Sequence, residues 1–216
     1  MRRYLPYVIV AFVALATFGS GFALYRAKRA ALPPEAKGAP ASGIHVRGKT
    51  DALVTIEEFG DFQCPPCSTI AVFLQKTEEE YGARLRVIFH HFPLAIHAHA
   101  REAALAAEAA GMQGRFWEMH DLLYKEQAAW SKAPDVPSLF QSYAGTIKLD
   151  LDRFKKDLAD PEVAARVDAD QKLGTSRGVT STPTLFVNDV LLPPAEFAPA
   201  GIHKAIEAAL KEKPKP

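Results

Sequence analysis

The 216-residue sequence predicts an α/β fold with a helical insertion, and three observations support this class. Residues 53–59 and 85–89 are apolar enough for buried strands, and residues 68–81 between them have helical composition, which together make a βαβ unit. Residues 97–175 then read as a series of helices. The strand pattern returns as a hairpin at 182–192, so the helices interrupt an α/β domain.

The remaining elements follow from local patterns along the chain. Residues 44–46 predict a short edge strand, and Gly82 is placed to end the first helix. Residues 116–124 form an amphipathic pattern whose Phe116, Trp117, Met119 and Leu123 we assign to the core. Five further segments complete the prediction: an alanine-rich helix at 97–110, helices at 134–145, 151–158 and 161–174, and a last helix at 199–210.

An uncharged, apolar run occupies residues 4–25 and is flanked by basic residues. About 20 apolar residues are enough to cross a bilayer core of about 30 Å. We therefore predict a membrane helix through residues 4–25, with residues 1–26 acting as an N-terminal anchor or uncleaved signal. A cleaved signal peptide is the alternative, although its apolar part is usually only about 7–15 residues long.

The rest of the chain divides into a linker, a domain and a tail. Residues 27–43 are rich in Ala, Pro and Gly, which is linker composition. We place the domain at 44–212 and a frayed tail at 213–216. The first 43 residues are basic and the remainder is mildly acidic, and the net charge is +1, so nothing in the charge points to nucleic acid.

The two cysteines of the chain, Cys64 and Cys67, are separated by two residues and stand between the first predicted strand and its helix. Free N–H groups and the dipole at a helix start lower a thiol pKa from about 8.5 to about 3.5–7.5. We therefore assign Cys64 as the attacking nucleophile and Cys67 as the resolving thiol. A two-residue loop makes a poor structural staple, which argues against a static disulfide.

Other uses of a C-x-x-C pair fit less well. Haem attachment needs His after the second cysteine, and that residue is Ser68. Zinc needs two more ligands, and His91 and His97 lie well downstream of the usual interval. We predict no metal and no cofactor for this protein.

The segment 58–67, Glu-Phe-Gly-Asp-Phe-Gln-Cys-Pro-Pro-Cys, resembles the active-site loop of the DsbA-like family of thioredoxin-fold oxidoreductases. Residues 91–94, the alanine-rich helix, 114–120 and 178–188 are similar to later blocks of that family, in the same order. The resemblance covers roughly residues 44–210. It implies a thioredoxin fold with a helical insertion and action on exported polypeptides, often in the bacterial periplasm or at the outer face of the cytoplasmic membrane.

The resemblance also implies roles for three further residues. A cis Pro183 would pack beside Cys64 and leave the backbone of Thr182 open to an extended substrate. Glu58 matches an acidic position beneath the cysteine pair, where a buried carboxyl with a raised pKa exchanges a proton with Cys67. Because Glu57 adjoins it in a strand, only one of the two carboxylates can point inward. We assign no specific role to His90, His91, His97 or His99.

The central dipeptide departs from the pattern, because Pro65-Pro66 stands where strongly oxidising members have Pro-His. Proline offers the thiolate no donor. We therefore predict an exported thiol:disulfide oxidoreductase with the oxidase direction only slightly favoured. Its partners would be exported protein substrates and a membrane or thiol redox partner that recycles the cysteines. The alternatives are a membrane-tethered reductase or isomerase and, less favoured, a metal-binding or chaperone module.

Overall fold

A computed structural model describes residues 45–212 and contains a five-stranded mixed sheet in the order β1-β3-β2-β4-β5. The β2–β3 pair is parallel, whereas the β1–β3, β2–β4 and β4–β5 pairs are antiparallel. The strands are β1 (His45–Gly48), β2 (Val54–Gly60), β3 (Leu85–His91), β4 (Thr184–Val187) and β5 (Val190–Leu191).

Eight α-helices accompany these strands in the described residues. Six of them lie between β3 and β4 and form the predicted helical insertion. The helices are α1 (Pro65–Tyr81), α2 (Ala100–Gly111), α3 (Phe116–Lys125), α4 (Gln127–Trp130), α5 (Val136–Thr146), α6 (Leu151–Leu158), α7 (Pro161–Ser176) and α8 (Pro199–Lys211).

The predicted elements are confirmed with shifted ends. Helix α1 starts three residues earlier than expected because Pro65 and Pro66 fill its first turn, and Gly82 ends it with a φ of 54°. Helix α2 starts three residues later than expected, since residues 97–99 form a turn instead. The short helix α4 was not predicted, because its four residues carry no readable periodicity.

Strand β2 is the centre of the sheet and carries the residues nearest the cysteines. It pairs with β3 on one side and β4 on the other, so that Glu58 lies opposite both Phe89 and Leu185. Successive side chains alternate between the two faces of the sheet. Glu58 therefore shares a face with Val54 and Ile56, and Glu57 points to the opposite face.

The two faces are covered by different helices. On the Glu58 face, Val54 and Ile56 pack in one apolar cluster with residues of α1 and α8. A second cluster joins both cysteines to Phe89 of β3 and to the helices of the insertion. On the Glu57 face, Phe59 packs with Phe92, Val179 and Phe186.

Helix α7 brings buried charges to the Glu57 face. His90 contacts Asp170 at 3.1 Å and Glu57 at 3.2 Å, and Arg177 donates to Glu57 at 2.8 Å. Burial lowers the pKa of His90, but the hydrogen bonds to Asp170 and Glu57 outweigh it and raise that pKa to about 9. Glu57 is therefore a paired, largely buried carboxylate, although it points to the face opposite Glu58.

Within residues 45–212, no helix is both long enough and apolar enough to cross a membrane. The predicted membrane helix at 4–25, the linker at 27–43 and the tail at 213–216 all lie outside the described part of the chain.

Candidate active site

The active-site loop joins the end of β2 to the start of α1. Cys64 is the N-cap of α1 and its backbone N–H donates to the carbonyl of Asp61 at 3.0 Å. The cap position has no side-chain hydrogen bond. A sulfur thus occupies the place where Ser, Thr, Asp or Asn usually accepts from the first turn.

The side chain of Asp61 fixes this loop from beneath. It is buried and accepts hydrogen bonds from the backbone N–H of Gln63 at 2.7 Å and of Leu94 at 2.8 Å, and it contacts His97 Nδ1 at 2.7 Å. One carboxylate therefore ties the cysteine loop to the segment that follows β3. His97 reaches the site only through Asp61.

The cysteine loop is also held by the helical insertion. Gln127 Nε2 of α4 donates to the carbonyl oxygens of Phe62 at 2.7 Å and Cys64 at 3.0 Å. Gln63 Nε2 donates to the carbonyl of Ser131 at 3.1 Å, and its Oε1 accepts from the N–H of His99 at 2.7 Å. Gln63 in the loop and Gln127 in the helical insertion therefore hold the loop in its conformation.

The predicted cis bond between Thr182 and Pro183 is confirmed, and it brings Thr182 to the sulfur of Cys64. Cys64 Sγ lies 3.3 Å from the carbonyl oxygen of Thr182, which accepts from the thiol. The structure thus brings Cys64, Cys67, Thr182 and Pro183 together, as the sequence predicted.

Cys64 is placed to ionise. Hydrogen bonding to the Cys67 side chain is the largest influence; burial opposes it, and hydrogen bonding to Thr182 and to the Cys67 backbone N–H assists it, so the pKa of Cys64 falls from 9.0 to about 6. Pro65 and Pro66 have no N–H, and the N–H of Ser68 bonds the Cys64 carbonyl at 3.3 Å. The amide of Cys67 is therefore the one first-turn donor left for the thiolate.

Cys67 behaves in the opposite way. It has no exposed surface, and burial, followed by its hydrogen bond to Cys64 and by the charge of Glu58, raises its pKa well above the ordinary value. Both cysteines are free thiols in the structure. The pair therefore combines one thiol that ionises near neutral pH with a neighbour that stays protonated.

Glu58 lies below the cysteines as the sequence predicted, and only 1% of it is exposed. Burial, followed by the charge of Cys64, raises the pKa of Glu58 to about 8. Its Oε1 and the hydroxyl of Tyr124 are both buried without a hydrogen-bond partner in the described chain. A Cβ at Gly60 would come within 2.9 Å of that hydroxyl, so the backbone of β2 passes close to it.

A shallow apolar groove of about 480 Å³ runs beside Cys64. Its lining consists of Pro65, Pro66, Thr69, Ile70, Pro183 and Phe197. Three of the six are prolines, which offer apolar surface and no backbone N–H to compete for a bound chain. Among residues 45–212, neither cysteine belongs to a cluster of three groups able to hold a metal.

Sequence reasoning missed Asp61, Gln127 and Tyr124. Asp61 lies within the recognised loop, so its place before the cysteines was a usable signal. Gln127 and Tyr124 reach the site from helices that lie more than fifty residues after Cys64 in the chain. No local sequence pattern indicates that they contact the site.

Comparisons with known proteins agree with this geometry. The structure of BdbD from Bacillus subtilis in its oxidised form is 29% identical, covers 79% of this chain and 94% of its own, and superposes with a TM-score of 0.70. DsbA2 from Pseudomonas aeruginosa is 26% identical, covers 83% of this chain and 100% of its own, and gives a TM-score of 0.63.

A curated relative is larger than this chain. The Na(+)/H(+) antiporter NhaA 1 of Salinispora arenicola is 42% identical over 145 residues, which are 67% of this chain. Those residues are 21% of the antiporter, so this chain spans about a fifth of the length of that relative.

Fold and site together define a thioredoxin-fold thiol:disulfide oxidoreductase of the DsbA-like kind. A family model described as Thioredoxin matches residues 41–208, and the chain belongs to that family.

The contrast between the two thiols predicts a single titration step near pH 6 in the reduced protein, measured by thiolate absorbance or by the pH dependence of alkylation. Cys64→Ser should abolish this step. Cys67→Ala should move it upward, because the largest influence on the Cys64 pKa is removed. A first step near the ordinary pKa of 9.0 would contradict the assignment.

Proposed function

We propose that this protein exchanges disulfides with exported protein substrates through Cys64 and Cys67, with oxidation of substrate thiols as the favoured direction. The observation that carries the proposal is the position of Cys64 at the N-cap of α1, next to Cys67 and to the carbonyl of Thr182, with the buried carboxyl of Glu58 close by. This position lowers the pKa of Cys64 to about 6 and so favours its thiolate. A thiolate is the form of cysteine that attacks and leaves in disulfide exchange.

In the oxidising direction, a substrate thiolate attacks Sγ of Cys64 in the Cys64–Cys67 disulfide. The substrate–Cys64 bond forms, and Cys67 leaves with the electron pair and takes up a proton. A second substrate thiolate then attacks the substrate sulfur of this mixed disulfide and releases Cys64 as a thiolate. The substrate gains one disulfide, and a membrane or thiol redox partner must reoxidise the cysteine pair.

The pKa contrast supports the oxidase direction. Stabilising the Cys64 thiolate stabilises the reduced pair, which makes its disulfide the stronger oxidant. The effect is limited, because Pro65 and Pro66 withhold two amide donors. With fewer donors, the pKa of Cys64 is higher and the disulfide is a weaker oxidant. The missing donors therefore favour the alternative, a membrane-tethered reductase or isomerase.

Glu58 is the proposed proton donor and acceptor for Cys67. The carboxyl is buried beneath the pair and its pKa of about 8 keeps it protonated at neutral pH. It can therefore deliver a proton as Cys67 leaves and recover it when the disulfide re-forms. Tyr124, whose hydroxyl is buried in the same region without a hydrogen-bond partner in the described chain, would orient that exchange.

Thr182 and Pro183 are the proposed contact for the substrate backbone. They lie just before β4, Thr182 is next to the sulfur of Cys64, and Pro183 lines the apolar groove. An extended substrate segment would pair with the backbone of Thr182 while its apolar side chains occupy the groove.

Location and domain organisation are part of the same proposal. The apolar run at residues 4–25 supports a single-pass anchor, with the linker at 27–43 holding a domain of residues 44–212 on the extracytoplasmic side. A cleaved signal would give a soluble periplasmic protein instead. Antiporter activity is not proposed, because the match spans only about a fifth of that relative.

The role of Cys67 predicts that Cys67→Ser accumulates covalent adducts with exported proteins. The variant retains Cys64 but has no thiol to expel a captured substrate. Non-reducing electrophoresis followed by mass spectrometry should find the adducts on Cys64. Cys64→Ser is the matched control and should capture nothing, because Cys67 is buried; equal trapping by both variants would reverse the assignment.

Glu58→Gln should stabilise the reduced fold and slow disulfide exchange. Burial raises the pKa of Glu58 from 4.5 to about 8. The contribution of Glu58 to the free energy of unfolding is therefore fully present below pH 4.5 and is lost as the pH rises through 8. At pH 7 the neutral variant should gain about 3 kcal/mol in the free energy of unfolding, and the gain should vanish near pH 4.

Glu57→Gln on the same strand is the control for Glu58→Gln, and its expected change in the free energy of unfolding at pH 7 has the opposite sign. Hydrogen bonding to His90 outweighs burial and, with Arg177, lowers the pKa of Glu57 to about 2, so its contribution is present above pH 4.5 and is lost as the pH falls through 2. This variant should lose stability at pH 7 and keep its exchange rate. An unchanged rate in Glu58→Gln would remove Glu58 from the mechanism.

The reduction potential of the cysteine pair decides the direction. Equilibration with glutathione should give a value less negative than about −190 mV, between the values of about −120 mV for DsbA and about −270 mV for thioredoxin. A value near −270 mV would instead establish a reductase. Stoichiometric metal on the cysteines of the purified protein would favour the metal-binding alternative.

A further inference from the structure

Two histidines and a glutamate converge at a place separate from the cysteine pair. His45 begins β1, His91 ends β3 and Glu108 lies in α2. His45 Nε2 is 2.5 Å and His91 Nε2 is 3.0 Å from the same oxygen, Glu108 Oε1. The three side-chain atoms all lie within 4.8 Å of one another.

Aromatic packing holds the two imidazoles in place. The His45 ring stacks on Phe116 with 3.3 Å between centroids, and His91 packs edge-on against Phe116 at 5.7 Å. His91 also contacts Phe62 at 5.8 Å between centroids. An apolar shell of this kind restricts the rings and keeps their nitrogen atoms directed at Glu108.

Glu108 has more acceptor capacity than its neighbours use. The residue has no exposed surface, and its second oxygen, Oε2, has no hydrogen-bond partner in the described chain. Arg166 is the nearest cation to it, with Nη1 3.7 Å away. A buried carboxylate oxygen without a hydrogen bond is costly, and a ligand on this group would remove that cost.

We infer that His45 Nε2, His91 Nε2 and Glu108 Oε1 bind one transition-metal dication of the Zn²⁺ class. Two imidazoles and one carboxylate are a ligand set for Zn²⁺, Fe²⁺ or Ni²⁺, whereas Ca²⁺ and Mg²⁺ take oxygen ligands. In the metal-free arrangement, hydrogen bonds from the imidazoles stand in for the ion.

Only small movements are needed to admit the ion. Metal bonds of about 2.0–2.1 Å in a tetrahedral site place ligand atoms about 3.4 Å apart. The two nitrogen atoms must therefore retreat from Glu108 Oε1 by less than about 1 Å. His45 is partly exposed at its strand edge, with 12% of its side chain accessible, and offers the entry side. The fourth position is left for Glu108 Oε2 or water.

The bound ion would join three elements that are distant along the chain: β1, β3 and α2. His45 begins β1, an edge strand of the sheet, so the ion would fasten this strand to the core. The contact of His91 with Phe62, two residues before Cys64, is the nearest link to the active-site loop. The site thus acts on stability and is independent of the proposed exchange reaction.

The test uses the full-length chain with Cys64 and Cys67 oxidised to the disulfide, so that thiolates do not compete for the ion. Calorimetric titration with Zn²⁺ should give one ion per chain. At a free concentration of about a hundredfold over Kd, the melting temperature should rise by about 5–10 °C. Co²⁺ in place of Zn²⁺ should give visible d–d bands without a sulfur-to-cobalt charge-transfer band.

His45→Gln should abolish the stoichiometric binding and the thermal shift, because the Gln amide can still donate to Glu108 but is a poor metal ligand. His203→Gln is the matched control: His203 also pairs with a carboxylate, Glu80 at 3.4 Å, but belongs to no such cluster. Its binding should equal that of the wild type.

Two results would overturn the inference: no stoichiometric Zn²⁺ in the oxidised protein, or unchanged binding in His45→Gln. Circular dichroism of His45→Gln without metal shows whether the variant folds. If it does not fold, His91→Gln, which removes the other imidazole of the cluster, takes its place and should likewise bind no ion.

Discussion

The arrangement of the active site depends on a helix whose N-cap is a sulfur. Helix α1 begins with two prolines, so its first turn has few amides to offer, and the amide of Cys67 is directed to Cys64. The surrounding contacts serve this one interaction. Asp61 holds the loop that carries Cys64, and the cis bond before Pro183 brings Thr182 to its other side. The reactivity of Cys64 therefore depends on Cys67, mainly through its side chain and also through its backbone N–H.

A second constraint is that two acids share one poorly solvated region. Burial raises the pKa of Glu58, and the charge of Cys64 adds to this effect; burial also raises the pKa of Cys67, and its hydrogen bond to Cys64 and the charge of Glu58 add to it. The region therefore favours one negative charge at a time. Electron transfer at the sulfurs and proton transfer at the carboxyl are coupled by this repulsion, and the fold gives up stability to keep Glu58 buried.

Local patterns were enough to predict the fold class, the helical insertion and the hairpin at 182–192, because each depends on neighbours in sequence. The family resemblance added the cis bond at Pro183 and the inward position of Glu58. The contacts of Gln127, the pairing of Asp61 with His97 and the convergence of His45 on Glu108 could not be predicted. They join residues that only tertiary packing brings together, and His45 and Glu108 are 63 positions apart.

The contacts of Gln127 limit how far this protein could be reduced in size. A chain cut back to its sheet and two flanking helices would lose α4, leaving the carbonyls of Phe62 and Cys64 without that amide. The inserted helices thus stabilise the loop that carries Cys64. Natural shortening or engineered minimisation of this scaffold would have to supply a replacement donor first.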